Sequence, residues 1–158
     1  MKFVCSLLCL ALVKLCAAQT TLPEPGEYTD AEKSITECPF DKEADAVVIF
    51  DGARIDHNDR NEQIYTRHIR LKILKPKGNR YGDVSIHYYS KDDIQFVSDV
   101  EAYTYNPKSV PDIKKVPQSA IFRQKLNERW SVVKIAMPDV QPGTIIEYKY
   151  IITAKSYH

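Results

Sequence analysis

The chain has 158 residues, of which 44% are hydrophobic and 27% are charged. This length fits one domain, and the apolar fraction is too high for a wholly disordered chain. With 22 basic and 21 acidic side chains, the formal charge of +1 offers no electrostatic basis for nucleic-acid binding.

Residues 1–18 have the pattern of a secretory signal peptide. The basic start Met1–Lys2 precedes the apolar run Phe3–Val13, and the small residues that follow predict cleavage after Ala18. The run is too short for a membrane anchor, which needs about 20 apolar residues. We therefore expect a periplasmic or secreted protein with no membrane span in the mature chain. Lipidation at Cys16 is a minor alternative.

Removal of residues 1–18 changes the cysteine count from four to one. Cys5, Cys9 and Cys16 lie in the signal segment, so Cys38 alone remains in a chain of 140 residues with a formal charge of −1. One thiol can form neither an intrachain disulfide nor a cysteine-rich zinc site. The mature domain is expected to depend on its apolar core.

Residues 19–39 are predicted to form an extended lead-in and one short helix. Thr29–Glu32 matches a capping box that begins a helix, and the helix is expected to end near Glu37, before Pro39. Cys38 follows the apolar stripe of this helix. We interpret it as a buried small hydrophobic residue rather than a reactive nucleophile.

From residue 40 the hydrophobic period changes from helical to strand-like. Ala46–Phe50 is a short apolar run before a turn, and Ile64–Leu74 alternates strictly. One face of the second segment is mainly apolar: Tyr65, Arg67, Ile69, Leu71 and Ile73. The other face is polar and basic: Thr66, His68, Arg70 and Lys72. This pattern predicts a half-buried strand with a solvated outer face.

The remaining chain continues as short alternating segments. Val84–Tyr88 and Ile94–Tyr105 are predicted strands, the second with these residues on one face: Ile94, Phe96, Ser98, Val100, Ala102 and Thr104. Residues 106–117, with three prolines, are predicted to be a loop. Ser119–Phe122 is a predicted edge strand. Two further segments alternate: Trp130–Met137 and Ile145–Thr153, with Ile146, Tyr148, Tyr150 and Ile152 of the latter on one face.

Taken together, the segments predict an all-β fold over residues 40–158. Six or seven strands separated by turns are typical of an antiparallel β-sandwich-like domain, here preceded by one short N-terminal helix. Predicted strands do not alternate with predicted helices along the chain, so the pattern does not support a parallel α/β sheet.

The residues predict no catalytic, cofactor-binding or metal site. The glycines lack the spacing of a phosphate-binding loop, and the acidic loop Asp51–Glu62 fails the calcium-loop template. Four histidines show no metal-ligand spacing, although two of them, His68 and His87, could meet on neighbouring strands; the others are His57 and His158. Pairing of Cys38 with a histidine as a nucleophile is disfavoured, because a helix C-terminus raises a thiol pKa.

The basic run Arg67–Arg80 holds six lysine and arginine side chains and no acid. A solvated strand face is the simpler interpretation, and a patch for an anionic glycan or an acidic partner, involving Arg70 and Lys72, is the alternative. Ten tyrosines and Trp130 add to the glycan hypothesis, because aromatic faces stack on sugars. The alternation of the last strand assigns part of this aromatic content to packing.

Three segments carry a resemblance to a known family. They are Ala44–Asp51 (ADAVVIFD), Arg67–Leu74 (RHIRLKIL) and the closing segment from Trp130-Ser131 to Met137–Tyr148 (MPDVQPGTIIEY). In these segments and their order, residues 40–158 resemble the exported bacterial domain of unknown function that precedes transglutaminase-like domains. The resemblance implies a β-rich, non-catalytic domain followed by a papain-like core with a Cys-His-Asp triad.

Nothing in this chain matches that catalytic core, so no catalytic residue carries over from the resemblance. The family domain continues past the Ile-Glu-Tyr strand, which implies that the domain here is C-terminally incomplete. A last strand at the end of the chain is then expected to leave a sheet edge without a partner.

These observations support three functional hypotheses. The first is a non-catalytic accessory or interaction domain of a transglutaminase-like protein, and the second is a glycan-binding module. The third is a fragment of a transglutaminase-like cysteine peptidase whose core lies outside the chain; an enzyme that uses Cys38 with a histidine is a further alternative. The partners expected are the missing C-terminal part, another protein or a glycan, and not nucleic acid.

Overall fold

The computed structural model describes residues 24–109 and 112–155. The predicted signal peptide 1–18, the lipidation alternative at Cys16 and the histidine at position 158 lie outside the described residues. Within them, no helix is long and apolar enough to cross a membrane.

The described residues form one short α-helix and eight β-strands. Helix α1 spans Asp30–Ser34. The strands are β1 (Ala46–His57), β2 (Gln63–Ile73), β3 (Asp83–Tyr89), β4 (Gln95–Tyr105), β5 (Ile113–Lys115), β6 (Ile121–Lys125), β7 (Trp130–Ala136) and β8 (Ile145–Ala154). Short 3-10 turns precede β3, β4 and β6.

Two antiparallel sheets confirm the predicted all-β sandwich-like fold. The larger sheet has the order β1-β2-β8-β4-β5, and the smaller has the order β3-β7-β6. The core lies between them: Ile69, Leu71 and Ile146 of the larger sheet pack with Val133 and Ile135 of the smaller. Burial of these alternating apolar side chains is the main stabilising contribution.

Helix α1 begins with the predicted capping box. Thr29 Oγ1 accepts a hydrogen bond from the Glu32 amide, and the Glu32 carboxylate accepts one from the Thr29 amide. The helix ends earlier than predicted, because Ile35 already has extended backbone angles. Cys38 is 3% exposed, which confirms its interpretation as a buried residue.

The alternation predicted for β2 is correct, but the solvated outer face is wrong. The inward residues Ile69, Leu71 and Ile73 lie in the core. The outward residues are buried as well: Thr66, His68, Arg70 and Lys72 are at most 7% exposed. Residues 26–33 lie across Arg70 and Lys72, and the Phe50 ring of β1 packs against His68, neither of which the strand periodicity alone reveals.

The strict alternation predicted for β4 is interrupted by a β-bulge. The register with β8 shifts between Ser98 and Glu101, and Asp99 adopts a φ of +48°. Val97 before the bulge and Ala102 after it therefore face the same core. Phe96, predicted to share the face of Ala102, is 43% exposed.

Two further expectations are corrected by the topology. Residues 106–117 are not entirely loop, because β5 pairs there with the end of β4. Strand β8, expected at a sheet edge, lies instead between β2 and β4. An edge strand is present near Phe122, but β6 spans Ile121–Lys125 rather than the predicted Ser119–Phe122, because residues 118–120 form a 3-10 turn.

Candidate functional site

A buried carboxylate at the centre of the larger sheet organises a cluster of polar side chains. Glu147 of β8 is fully buried. Its Oε1 accepts hydrogen bonds from Arg70 Nη2 at 2.6 Å and Arg70 Nε at 3.1 Å, and lies 2.6 Å from His68 Nε2. Its Oε2 accepts a hydrogen bond from the Tyr105 hydroxyl.

The strand register explains why these side chains meet. Arg70 lies directly opposite Glu147 in the β2–β8 ladder, and His68 lies two residues along β2 on the same face. On the other side, Tyr103 of β4 lies opposite Glu147, and Tyr105 is two residues further. Three neighbouring strands thus direct one acid, two basic residues and a phenol to one point.

Residues before β1 close this cluster from solvent. The Gly26 amide donates to Tyr105 Oη at 3.0 Å and to Glu147 Oε2 at 3.1 Å, and Glu32 Oε1 lies 2.7 Å from Arg70 Nη1. Gly26 has a φ of +106°, a conformation that favours glycine. The Tyr28 ring packs 4.9 Å from the Tyr105 ring. We call residues 24–37 the N-terminal strap.

Burial and hydrogen bonding have opposite effects on the ionisation of Glu147. Burial by itself raises the pKa, but the donors His68, Tyr105 and Arg70 outweigh it and hold the pKa below its ordinary value. The pKa of Tyr105 is raised, first by burial and then by its bond to the Glu147 carboxylate. Glu147 is thus an anion at neutral pH, and Tyr105 is a neutral donor.

The cluster is arranged to hold charge rather than to expose a reactive group. Arg70 contacts two carboxylates, those of Glu32 and Glu147, and both lie under or within the strap. His68 Nδ1 is buried without a hydrogen-bond partner. In this geometry the charged groups of the sheet bind the strap and hold it in place.

A cavity of about 290 Å³ lies beside this cluster, where the strap meets one end of the larger sheet. Its walls come from the strap, the end of β2, the turn after β4 and the turn before β8. Lys72 is the buried charged residue of this cavity. Its Nζ donates to the Glu32 and Lys33 carbonyl oxygens at 2.9 and 2.6 Å.

The structure separates the residues that the sequence proposed as possible ligands or nucleophiles. His68 lies in the larger sheet and His87 in the smaller, so the prediction that they could meet on neighbouring strands is wrong. Within the described residues, no group of three histidine, cysteine or acidic side chains is placed to hold a metal ion. No hydrogen bond there joins Cys38 to a histidine.

Sequence reasoning missed the central role of Glu147. Its signal was present, because Glu147 is the one acid in the alternating segment 145–154, and it lies in the Ile-Glu-Tyr motif. A single acid in a sheet strand, together with a strand that carries Arg70 and Lys72 on one face, indicates cross-strand pairing. The pairing partner could not be chosen without the strand order.

Comparison with known proteins places this fold in context. Residues 59–157 match a family described as a domain of unknown function with solved structure, DUF3857. The chain is also similar to the crystal structure of a "putative protease" from Parabacteroides distasonis, with a TM-score of 0.62 and 17% identity. That similarity covers 72% of this chain but 24% of the other protein, and at this identity it shows the fold alone. No curated protein gave a match.

Proposed function

Because this chain belongs to the DUF3857 family of domains of unknown function, we propose that it is a non-catalytic accessory domain of a transglutaminase-like protein. The observation that carries the proposal is the fold match to 24% of a larger protein, which indicates that this fold occurs as one part of a longer polypeptide. The sequence resemblance to the domain that precedes transglutaminase-like cores supports the same assignment.

The polar groups of the domain favour a structural role over a chemical one. Glu147 and Arg70 are buried, both hydrogen-bond to the strap, and their opposite charges are directed at each other. Cys38 is buried too. A substrate would need to displace the strap before it reached Glu147 or Arg70, which both hydrogen-bond to it.

The outer face of the smaller sheet is the surface best suited to a neighbouring domain. Phe122, Leu126 and Trp130 are exposed by 54%, 45% and 44%, and Trp130 packs edge-on against Tyr89. Exposed aromatic and aliphatic side chains of this kind mark interaction surfaces. Lys134 of β7 lies opposite Phe122 and shares this face, whereas Arg123 and Lys125 alternate onto the other face with Val133 and Ser131. We assign to this patch the rest of the same polypeptide, which packs against it through an apolar surface.

The catalytic part of the proposal is tested with the purified chain. We expect no hydrolysis of casein and no incorporation of a fluorescent amine into casein above the buffer rate. A Cys38→Ala variant is the control. Hydrolysis or amine incorporation that disappears in this variant would overturn the non-catalytic assignment.

The interface is tested in the polypeptide encoded by the complete reading frame. Amide hydrogen exchange over β6 and β7 should be slower there than in the 158-residue chain, and Phe122→Asp should abolish that difference. Phe96→Asp is the matched control, because Phe96 is also exposed but lies on β4 of the other sheet. Equal exchange in both polypeptides argues against this interface. A complete reading frame without a transglutaminase-like core overturns the accessory assignment.

A glycan-binding module is the second candidate, and one observation favours it. The ring centroids of Tyr89 and Trp130 lie 5.4 Å apart on an exposed face, which is suitable for stacking on a sugar. The other motivation for this hypothesis is lost, because Arg70 and Lys72 are buried. Trp130 is the single tryptophan, so titration with chitohexaose and cellohexaose can be followed by its fluorescence. Unchanged fluorescence with both would count against this candidate.

A further inference from the structure

The cavity beside the strap has the composition of a small binding site. Its volume of about 290 Å³ is close to the lower limit of roughly 300 Å³ for ligand pockets. The walls are mainly apolar and include Ile35, Ile73, Leu74, Pro107 and Pro142. A ligand that fills it must therefore be small and largely aliphatic.

The charges around the cavity are of one sign. Lys33, Lys72 and Lys108 line it, and none of the residues that line it carries a carboxylate. Lys33 is partly neutralised, since its Nζ lies 3.1 Å from Asp30 Oδ1. Among the described residues, Lys72 and Lys108 form no ion pair at all.

Lys72 is the residue that makes this arrangement unusual. It is 4% exposed, and the two hydrogen bonds of its ammonium group are to backbone carbonyl oxygens of the strap. An ammonium group has three N–H donors, so one has no protein acceptor among the described residues. A buried cation without an opposite charge is costly, and burial accordingly lowers the pKa of Lys72.

The neutral polar groups of the cavity do not supply the missing acceptor. Asn106 Oδ1 accepts from Thr144 Oγ1 at 2.5 Å, and the Asn106 side-chain amide donates to the Asp139 carbonyl oxygen. Backbone bonds between Ile73 and the turn before β8 close that wall. The charge of Lys72 is left for a ligand to satisfy, together with the polar side chains of Thr36 and Gln141, which also line the cavity.

We propose that this cavity binds the carboxylate of a small aliphatic ligand. The carboxylate accepts a hydrogen bond from Lys72, Lys108 lies at the mouth, and the aliphatic part contacts Ile35, Leu74 and Pro142. Both a free aliphatic acid and the C-terminal carboxylate of a peptide have this chemistry. The site is independent of the accessory role proposed above.

The charge requirement is tested by NMR titration of the purified chain with three probes of matched length. Hexanoate should bind saturably, with the largest amide shifts at Leu74, Lys108 and Gly143. Hexan-1-ol should bind at least tenfold more weakly, and hexylammonium should not bind. Equal affinity for hexanoate and hexylammonium, or hexanoate shifts confined to other surfaces, would overturn the proposal.

Two variants test the site itself. Lys72→Met should weaken hexanoate binding about tenfold, the effect of one lost charge-assisted hydrogen bond, and Lys77→Met, an exposed lysine elsewhere, should not. Should Lys72→Met fail to fold, Thr36→Trp decides: it retains Lys72 but places a ring in the cavity from an exposed strap position. Undiminished binding in Thr36→Trp contradicts the site.

The source of the carboxylate is distinguished with acetyl-Ala-Leu as the free acid and as the amide. Tighter binding of the free acid than of hexanoate identifies a peptide C-terminus. Binding of hexanoate alone identifies a free aliphatic acid. If neither acetyl-Ala-Leu nor hexanoate binds, the proposal is overturned.

Discussion

Neutralising Glu147 is expected to destabilise the domain strongly. Glu147→Gln keeps the size of the side chain but removes the negative charge between Arg70 and His68. The amide also carries donors where the carboxylate oxygens accept from Tyr105 and the Gly26 amide. One substitution thus disturbs both the centre of the sheet and the attachment of the strap.

The magnitude follows from the burial of the ion pair. Loss of one partner of a buried pair costs about 3–5 kcal/mol, because the other charge stays buried without compensation. Arg70 retains its 2.7 Å contact with Glu32, whose side chain is 13% exposed. We therefore expect the lower limit, a loss of about 3 kcal/mol in the free energy of unfolding.

The assay is urea unfolding at neutral pH, followed by far-UV circular dichroism. Glu101→Gln is the matched control: Glu101 pairs with Lys115 at 3.0 Å on the neighbouring strand, but these side chains are 41% and 57% exposed. That pair is expected to contribute less than about 1 kcal/mol. Equal losses in the two variants would refute the reasoning that burial makes the Glu147 cluster important.

Three other predictions concern pH, close packing and thiol access. Because the pKa of folded Glu147 is depressed, its contribution to stability is full above its ordinary pKa of 4.5 and is lost as the pH falls through the folded value. The unfolding free energies of wild type and Glu147→Gln should therefore converge in acid. A difference between them in urea unfolding that stays constant at every pH would contradict this. Gly78→Ala places a Cβ 2.3 Å from the Asp45 carbonyl oxygen and should cost about 3 kcal/mol of unfolding free energy. Gly82→Ala, which meets a side chain instead, should cost less, and the reverse order would be inconsistent with the packing. Cys38, 3% exposed, should react with a disulfide reagent only as the protein unfolds, and rapid labelling of the native chain would contradict its burial.

Local pattern was sufficient for most elements and most of the core, but it predicted a turn at Asp51-Gly52, where β1 continues to His57, and a loop where β5 lies. The capping box of α1 depends on residues three positions apart, and the inward residues of β2 follow from its two-residue period. The bulge in β4 was not predictable in the same way. The bulge puts Phe96 and Ala102 on opposite faces of the strand, and only the pairing with β8 reveals it.

The candidate site depended on contacts between distant segments. Glu147 and His68 are 79 residues apart, and Gly26 is 121 residues from Glu147. Their meeting requires the strand order β2-β8-β4 and a strap that folds over the outer face of the sheet. The basic residues of β2 therefore appeared solvated from their spacing, although the structure buries them.

The sequence by itself determined an all-β domain with one capped helix, a buried Cys38 and the apolar faces of β2 and β8, because periodicity and capping act over a few neighbouring residues. Only the tertiary structure decided what lies on the opposite face of the larger sheet. The strap covers that face, Glu147 is paired with Arg70, and Lys72 is left without a carboxylate beside a cavity. The physical reason is that periodicity states which side chains share a face, whereas the chain that covers the face is set by long-range packing and charge pairing.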